Sequence, residues 1–176
     1  MCKECHILTP KKMKNIETEL KFKVKEPLKL LEKIDGVRPK VLYIQDSIYN
    51  KGKDRLRVRK TFKGGFIDTD IEKTTRLEGD VKKVIEEKIK RIPKGYKLRN
   101  SYDKIRYAFK RNGYEIAVDF YSIGVFCEIE GNEIIIKKVA KELGLKNNIK
   151  DDIDSIYCKM CEELGFSPRL HWGFGK

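Results

Sequence analysis

Glu17-Thr18-Glu19-Leu20-Lys21-Phe22-Lys23-Val24 sets a charged residue at every second position. In an extended strand, alternate side chains point to opposite faces. Glu17, Glu19, Lys21 and Lys23 therefore share one face, and Leu20, Phe22 and Val24, with Ile16 and Thr18, share the other. On one strand this means little, because a row of charges is usually the solvated side. The pattern recurs, however. Arg57 and Arg59 stand opposite Leu56 and Val58, and Lys104 and Arg106 stand opposite Ile105 and Tyr107. Asp119 faces away from Val118 and Phe120, while Glu128 and Glu130 face away from Cys127 and Ile129.

Acids gather on some of these strands and bases on others. A sheet curled into a closed barrel puts one face of every strand inside. If the charged face is the inner one, the lumen is a polar tunnel and amphipathic helices must cover the apolar exterior. The expected fold class is thus α+β, a closed eight-stranded antiparallel β-barrel with a charged lumen and flanking helices.

Around these strands the chain predicts a helix over Pro27–Ile34, with proline in its first turn. Strands follow at Val41–Tyr49 and Arg55–Phe62, joined by Asn50-Lys51-Gly52, with one or two more over residues 67–78. The spacing of Val81, Val84, Ile85, Ile89 and Ile92 predicts a helix from Asp80 to Ile92, stopped by Pro93. Lys97–Lys110, Tyr114–Tyr121 and Val125–Glu130 read as strands turning at Asn112-Gly113 and Ser122-Ile123-Gly124. Helices over Glu133–Leu143 and about Asp152–Leu164 follow. Residues 1–14 read as a flexible basic extension and residues 15–176 as one domain.

The 176 residues are 40% hydrophobic and 38% charged, which fits a folded rather than a disordered chain. No apolar run is long enough for a transmembrane helix, and no membrane association is expected. No signal-like segment stands at the N-terminus, so a cytoplasmic location is the expectation. Forty Lys and Arg against 27 Asp and Glu give a net charge of +13, which attracts polyanions or simply solvates the surface. Five cysteines argue against a disulfide framework. Cys2 with Cys5, followed by His6, and Cys158 with Cys161 have metal-like spacing but lie near opposite ends of the chain.

Charges inside a barrel persist only if they pair with each other or hold ligands of opposite sign. Glu-x-Glu on two strands can converge on a hard divalent cation, Mg²⁺ or Mn²⁺. Facing arginines and lysines suit phosphate oxygens, the arginines by bidentate contact. Together they describe a site for a metal-bridged phosphate chain.

The same residues resemble a known family. Glu17-Thr18-Glu19-Leu20-Lys21 is similar to the ExExK signature of the CYTH family, named for class IV (CyaB-type) adenylyl cyclases and thiamine triphosphatases and also called triphosphate tunnel metalloenzymes. Gln45 to Tyr49, Leu56-Arg57-Val58-Arg59, Lys73, Arg76-Leu77-Glu78-Gly79-Asp80, Lys104-Ile105-Arg106, Asp119 and Gly124 to Glu130 follow in the family's order. So does Ser155-Ile156-Tyr157, and the resemblance runs over about residues 15–164.

This resemblance implies phosphate ligands at Lys21, Arg57, Arg59, Lys73, Lys104 and Arg106, with Lys63 an alternative to Lys73. It implies metal ligands drawn from Glu17, Glu19, Glu128 and Glu130, with Asp119 and Glu78 as further candidates. Lys21 with Tyr49 would activate the attacking water, provided neighbouring charge or desolvation lowers the lysine pKa. The implied activity is Mg²⁺- or Mn²⁺-dependent hydrolysis of inorganic triphosphate, a nucleoside triphosphate or thiamine triphosphate. One alternative is an adenylyl cyclase making cyclic AMP and pyrophosphate. Another is a non-catalytic polyphosphate- or RNA-binding module. The expected partner is a small triphosphate molecule rather than nucleic acid, and a homodimer stays open. His171 and Trp172 would close the tunnel mouth, stack on a base or, as the favoured reading, dock as an aromatic tail.

Overall fold

The computed structural model describes residues 15–34, 36–77 and 82–174. Chain order is β1 (Asn15–Val24), α1 (Pro27–Lys33), β2 (Lys40–Lys51), β3 (Asp54–Lys63), β4 (Phe66–Leu77) and β5 (Lys82–Lys88). Then come β6 (Lys97–Arg111), β7 (Tyr114–Tyr121), β8 (Gly124–Gly131), α2 (Glu133–Glu142), α3 (Ile153–Glu163) and β9 (His171–Trp172). The sheet runs β2-β3-β4-β5-β1-β8-β7-β6, and β2 also pairs with β6, which closes the barrel. Every pairing in that ring is antiparallel. The expected eight-stranded barrel is therefore present, with β9 added in parallel to β6.

Register decides which face lies inside. Residues directly opposite one another on paired strands point the same way. Lys21 pairs with Glu128, Arg106 with Asp119, Asp46 with Arg59, Arg57 with Glu72 and Glu19 with Lys82, so the charged set faces inward as one. The alternate residues form the main hydrophobic core outside the barrel. Leu20, Phe22, Phe109, Val118, Cys127 and Ile129 pack there against Leu30 and Ile34 of the α1 region and Ile136, Val139 and Ala140 of α2.

Helix α2 starts where the Asn132 side chain accepts the Ile134 N–H at 2.9 Å, satisfying one of the unpaired donors of its first turn. Its fully buried Ile136 contributes about 2 kcal/mol by removal from water.

Helix α3 lies across one end of the barrel, where β2 and β7 finish and β6 and β8 begin. Ile153, Tyr157 and Cys161 of α3 cluster with Ile48, Tyr102, Tyr121 and Phe126. Trp172 stacks on Tyr157 and Tyr102 at centroid distances of 4.4 and 4.8 Å, so the tail docks as a strap behind the helix. Among the described residues, no helix is long and apolar enough to cross a membrane.

One element differs in kind from the sequence expectation. The helix expected over Asp80–Ile92 is strand β5 from Lys82, its first two residues lying outside the described ones. Val84 and Ile85 fit a helical stripe, but β5 is bracketed by β1 and β4, and ladder bonds to both neighbours override local spacing. Of the one or two strands expected over residues 67–78, the described residues form one, β4 (Phe66–Leu77). The N-terminal extension, with Cys2, Cys5 and His6, lies outside the described residues.

Candidate functional site

The lumen is a cavity of about 420 Å³ whose walls are mostly charged side chains. Its most buried part is a chain of ion pairs across β6, β7, β8 and β1. Asp119, fully buried, accepts from Lys104 Nζ at 2.7 Å and from Arg106 Nε and Nη2 at 2.7 and 2.6 Å. Arg106 Nη2 also donates to Glu128 at 2.5 Å, and Glu128 binds Lys21 at 2.9 Å. Lys104 further donates to the Tyr121 hydroxyl at 3.2 Å.

The opposite wall is built from β2, β3, β4 and β5. Arg59 holds Asp46 through two bonds of 2.8 Å. Arg57 donates to Glu72 at 2.6 Å and to Glu86 at 2.6 Å. Nearer α3, Arg55 reaches Asp154 at 2.9 Å and Asp152 at 3.3 Å, and Lys82 bonds Glu19 and also meets Asp152 at 3.3 Å.

These arrangements shift the titrations. Burial works against the Lys21 ammonium, but Glu128 and Glu19 more than offset it and its pKa stands above the ordinary lysine value. Burial and the Arg106 charge push Lys104 down to about 8, against the opposing pull of Asp119. Burial raises Glu130 to about 7, with Glu128, Glu17 and Glu19 adding repulsion that Arg106 does not cancel. Glu17 is raised by burial and by Glu86. Burial would raise Asp46, yet the Arg59 charge and hydrogen bonds hold it well below the carboxylate range.

Of the residues singled out from sequence, Glu17, Glu19, Lys21, Arg57, Arg59, Lys104, Arg106, Glu128 and Glu130 border this one cavity. Asp119 stands behind Lys104 and Arg106, with its oxygens occupied by them.

Two candidates are placed elsewhere. Tyr49 follows Ile48 on β2 and pairs with Leu56, on the face away from the lumen. Lys73 also pairs with Leu56, and its ammonium bonds Asp54 outside at 3.0 Å. Both are turned outward for one reason, the alternation of a strand, which puts the neighbours Ile48 and Glu72 inward instead. Lys63 sits exposed at the β3–β4 turn opposite Phe66. Glu78 lies outside the described residues.

The lumen also contains groups that the sequence reading did not name. Asp46, Arg55 and Glu72 were legible from parity alone, since Arg55 shares a face with Arg57 and Arg59. Lys82 and Glu86 were hidden by the helical reading of β5.

Among the described residues, no three carboxylate, histidine or cysteine side chains converge as they stand on a point that a metal could occupy. The donor chemistry nevertheless fits a hard cation. Glu17 and Glu130 form no ion pair among the described residues, and both are raised by burial and by other carboxylates. A divalent ion relieves that repulsion with oxygen ligands alone. Glu128 and Asp119 already have cationic partners.

No family model matches the sequence, and no curated protein matches it. Solved structures do share the fold. The PH1819 protein of Pyrococcus horikoshii superposes with a TM-score of 0.66 at 19% identity, over 82% of this chain and 99% of its own. A proposed adenylate cyclase from Vibrio parahaemolyticus matches at 0.60 and 17% identity, over 82% and 98%. A proposed adenylyl cyclase from Hippeastrum, with a dominant triphosphatase activity, matches at 0.56 and 14% identity, over 90% and 99%. At these identities the likeness establishes the tunnel fold.

Proposed function

We propose that this protein hydrolyses a triphosphate within the barrel with the help of a divalent cation, Mg²⁺ or Mn²⁺. One observation carries the reading: one cavity inside the barrel joins inward cations on β1, β3 and β6 to surplus carboxylates on β1 and β8. A surface that merely bound polyanions would not bury unpaired glutamates among its cations, because they would repel a phosphate chain. The Hippeastrum and Vibrio proteins, which share the fold, lend support from outside the chain.

Arg57, Arg59 and Arg106 would grip non-bridging phosphate oxygens, each exchanging part of its carboxylate contact for substrate. Glu17, Glu19 and Glu130 would hold the cation, whose chemistry when bound is to neutralise phosphate charge and polarise phosphorus. Lys21, held protonated by Glu128, serves as a fixed positive charge rather than as the base. Lys104, with a pKa of about 8 and the Tyr121 hydroxyl beside it, is the group placed to exchange a proton near neutral pH.

Hydrolysis is preferred to cyclisation because the described residues that line the lumen are mostly charged, which suits a phosphate chain better than a base and ribose. Solution in the cytoplasm, where nucleotides and Mg²⁺ occur together, suits such an activity. Chromatography of products from tripolyphosphate, ATP and thiamine triphosphate, with Mg²⁺, Mn²⁺ or EDTA, tests the assignment. Orthophosphate is the expected product; cyclic AMP with pyrophosphate would make the protein a cyclase.

A further inference from the structure

The end of the lumen under α3 carries its own anions. Asp152 immediately precedes α3 and Asp154 lies in its first turn. Asp154 is fully buried, receives two Arg55 hydrogen bonds at 2.9 and 3.3 Å, and approaches Arg99 at 3.6 Å. Asp152 bridges Arg55 and Lys82 at 3.3 Å each. Ile153, between them, borders the lumen itself. The lumen's other inward cations on β1, β3 and β6 pair with carboxylates on the strands, whereas Arg55 is held by both helix carboxylates and Lys82 is shared between Glu19 and Asp152, which borders the cavity.

We propose that Arg55 and Lys82 form a further phosphate subsite at the α3 end of the tunnel, masked by Asp152 and Asp154. This rests on the triphosphate reading above and extends it. Arg55 shares the inward face of β3 with Arg57 and Arg59, so the cationic stripe on that strand continues toward α3. Lys82 stands on the same wall two strands away on β5, sharing Asp152 with Arg55, and the exposed Lys53 borders the same cavity. A phosphoryl group at the end of a chain presents anionic oxygens as the carboxylates do, so phosphate and helix compete for the same cations.

The helix is well anchored for this role. Lys21 N–H donates to Asn148 at 3.0 Å, and Ile149 N–H donates to the Lys21 carbonyl at 2.7 Å, tying the segment before α3 to β1. Behind α3, Arg169 N–H bonds the Tyr157 hydroxyl and Phe174 N–H bonds Asp103. Asp152, more accessible than Asp154, is the side that an incoming phosphate would displace first.

The test is Asp152→Asn, which keeps the side chain's shape and removes its charge. Inorganic tripolyphosphate is titrated calorimetrically into wild type, Asp152→Asn and Asp152→Asn/Lys82→Gln, with thermal melts as a check on folding. The variant should bind tripolyphosphate about tenfold more tightly than wild type, and the gain should vanish in the double variant. Unchanged or weaker binding by a normally melting Asp152→Asn would overturn the proposal. So would a gain that survives Lys82→Gln, since it would then be a general field effect. Turnover is measured separately on the same samples: wild type that binds tripolyphosphate but never cleaves it contradicts the hydrolase reading and leaves the subsite comparison standing.

Discussion

Arg59 and Asp46 face each other across β3 and β2 as a bidentate pair, Nε and Nη2 each donating to one carboxylate oxygen at 2.8 Å. Asp46 is almost wholly buried, so the pair replaces water for both partners. Removing one member leaves the other charge stranded. Asp46→Ala should therefore cost about 3–5 kcal/mol in chemical denaturation.

The same pair has a pH signature. Asp46 is depressed in the folded state, so its stabilisation is present above the unfolded carboxylate value of 3.8 and is lost as pH falls through the lower folded value. The gap in stability between wild type and Asp46→Asn should accordingly narrow below pH 3.8. Melting curves collected down the acid range measure it directly.

Glu130 works in the opposite direction. Its folded pKa, raised to about 7 from an ordinary 4.5, favours folding fully below 4.5, and that advantage is lost as pH rises through 7. Glu130→Gln should abolish this alkaline loss, which is at most about 3 kcal/mol. Mn²⁺ or Mg²⁺ should raise the melting temperature of wild type more at pH 8 than at pH 5, and should do so less in the variant. Equal metal effects at both pH values would remove Glu130 from the cation site.

Lys104 supplies a catalytic pH prediction. Only its neutral form accepts a proton, so turnover should climb with pH through about 8. Lys104→Arg, always charged, should lose this limb along with about a hundredfold or more of the rate. An unaltered pH–rate profile in that variant would assign the proton transfer elsewhere.

Tyr49 and Lys73 are the controls. Both point away from the lumen, so Tyr49→Phe and Lys73→Gln should leave turnover within about twofold of wild type. A loss comparable to that of Arg59→Ala would contradict the register of β2 or β4.

The contrast between these residues shows what a sequence reveals about such a site. Strand parity alone marks most of the lumen, because a period of two forces Glu17, Glu19 and Lys21, or Arg57 and Arg59, onto one face. The same rule, applied strictly, would have chosen Asp46 over Tyr49 and Glu72 over Lys73. The resemblance drew attention to Tyr49 and Lys73, while register turns both away from the lumen. Lys82 and Glu86 could not be found this way, since Val84-Ile85 beside Ile89 suits a helix and only pairing to β1 and β4 makes the segment a strand. Asp152 and Asp154 were equally hidden. A carboxylate at the start of a helix is ordinary helix chemistry until the fold lays that helix across the end of a barrel.

The measurement that bears most directly on the central claim is orthophosphate release from tripolyphosphate by the wild-type protein, with Mg²⁺ or Mn²⁺ and again with EDTA. Metal-dependent release that disappears in both Glu17→Ala and Arg59→Ala, with both variants still folded, is the predicted result. Tight tripolyphosphate binding without cleavage, indifferent to metal and to Glu17, would contradict it and leave the barrel as a polyphosphate-binding module.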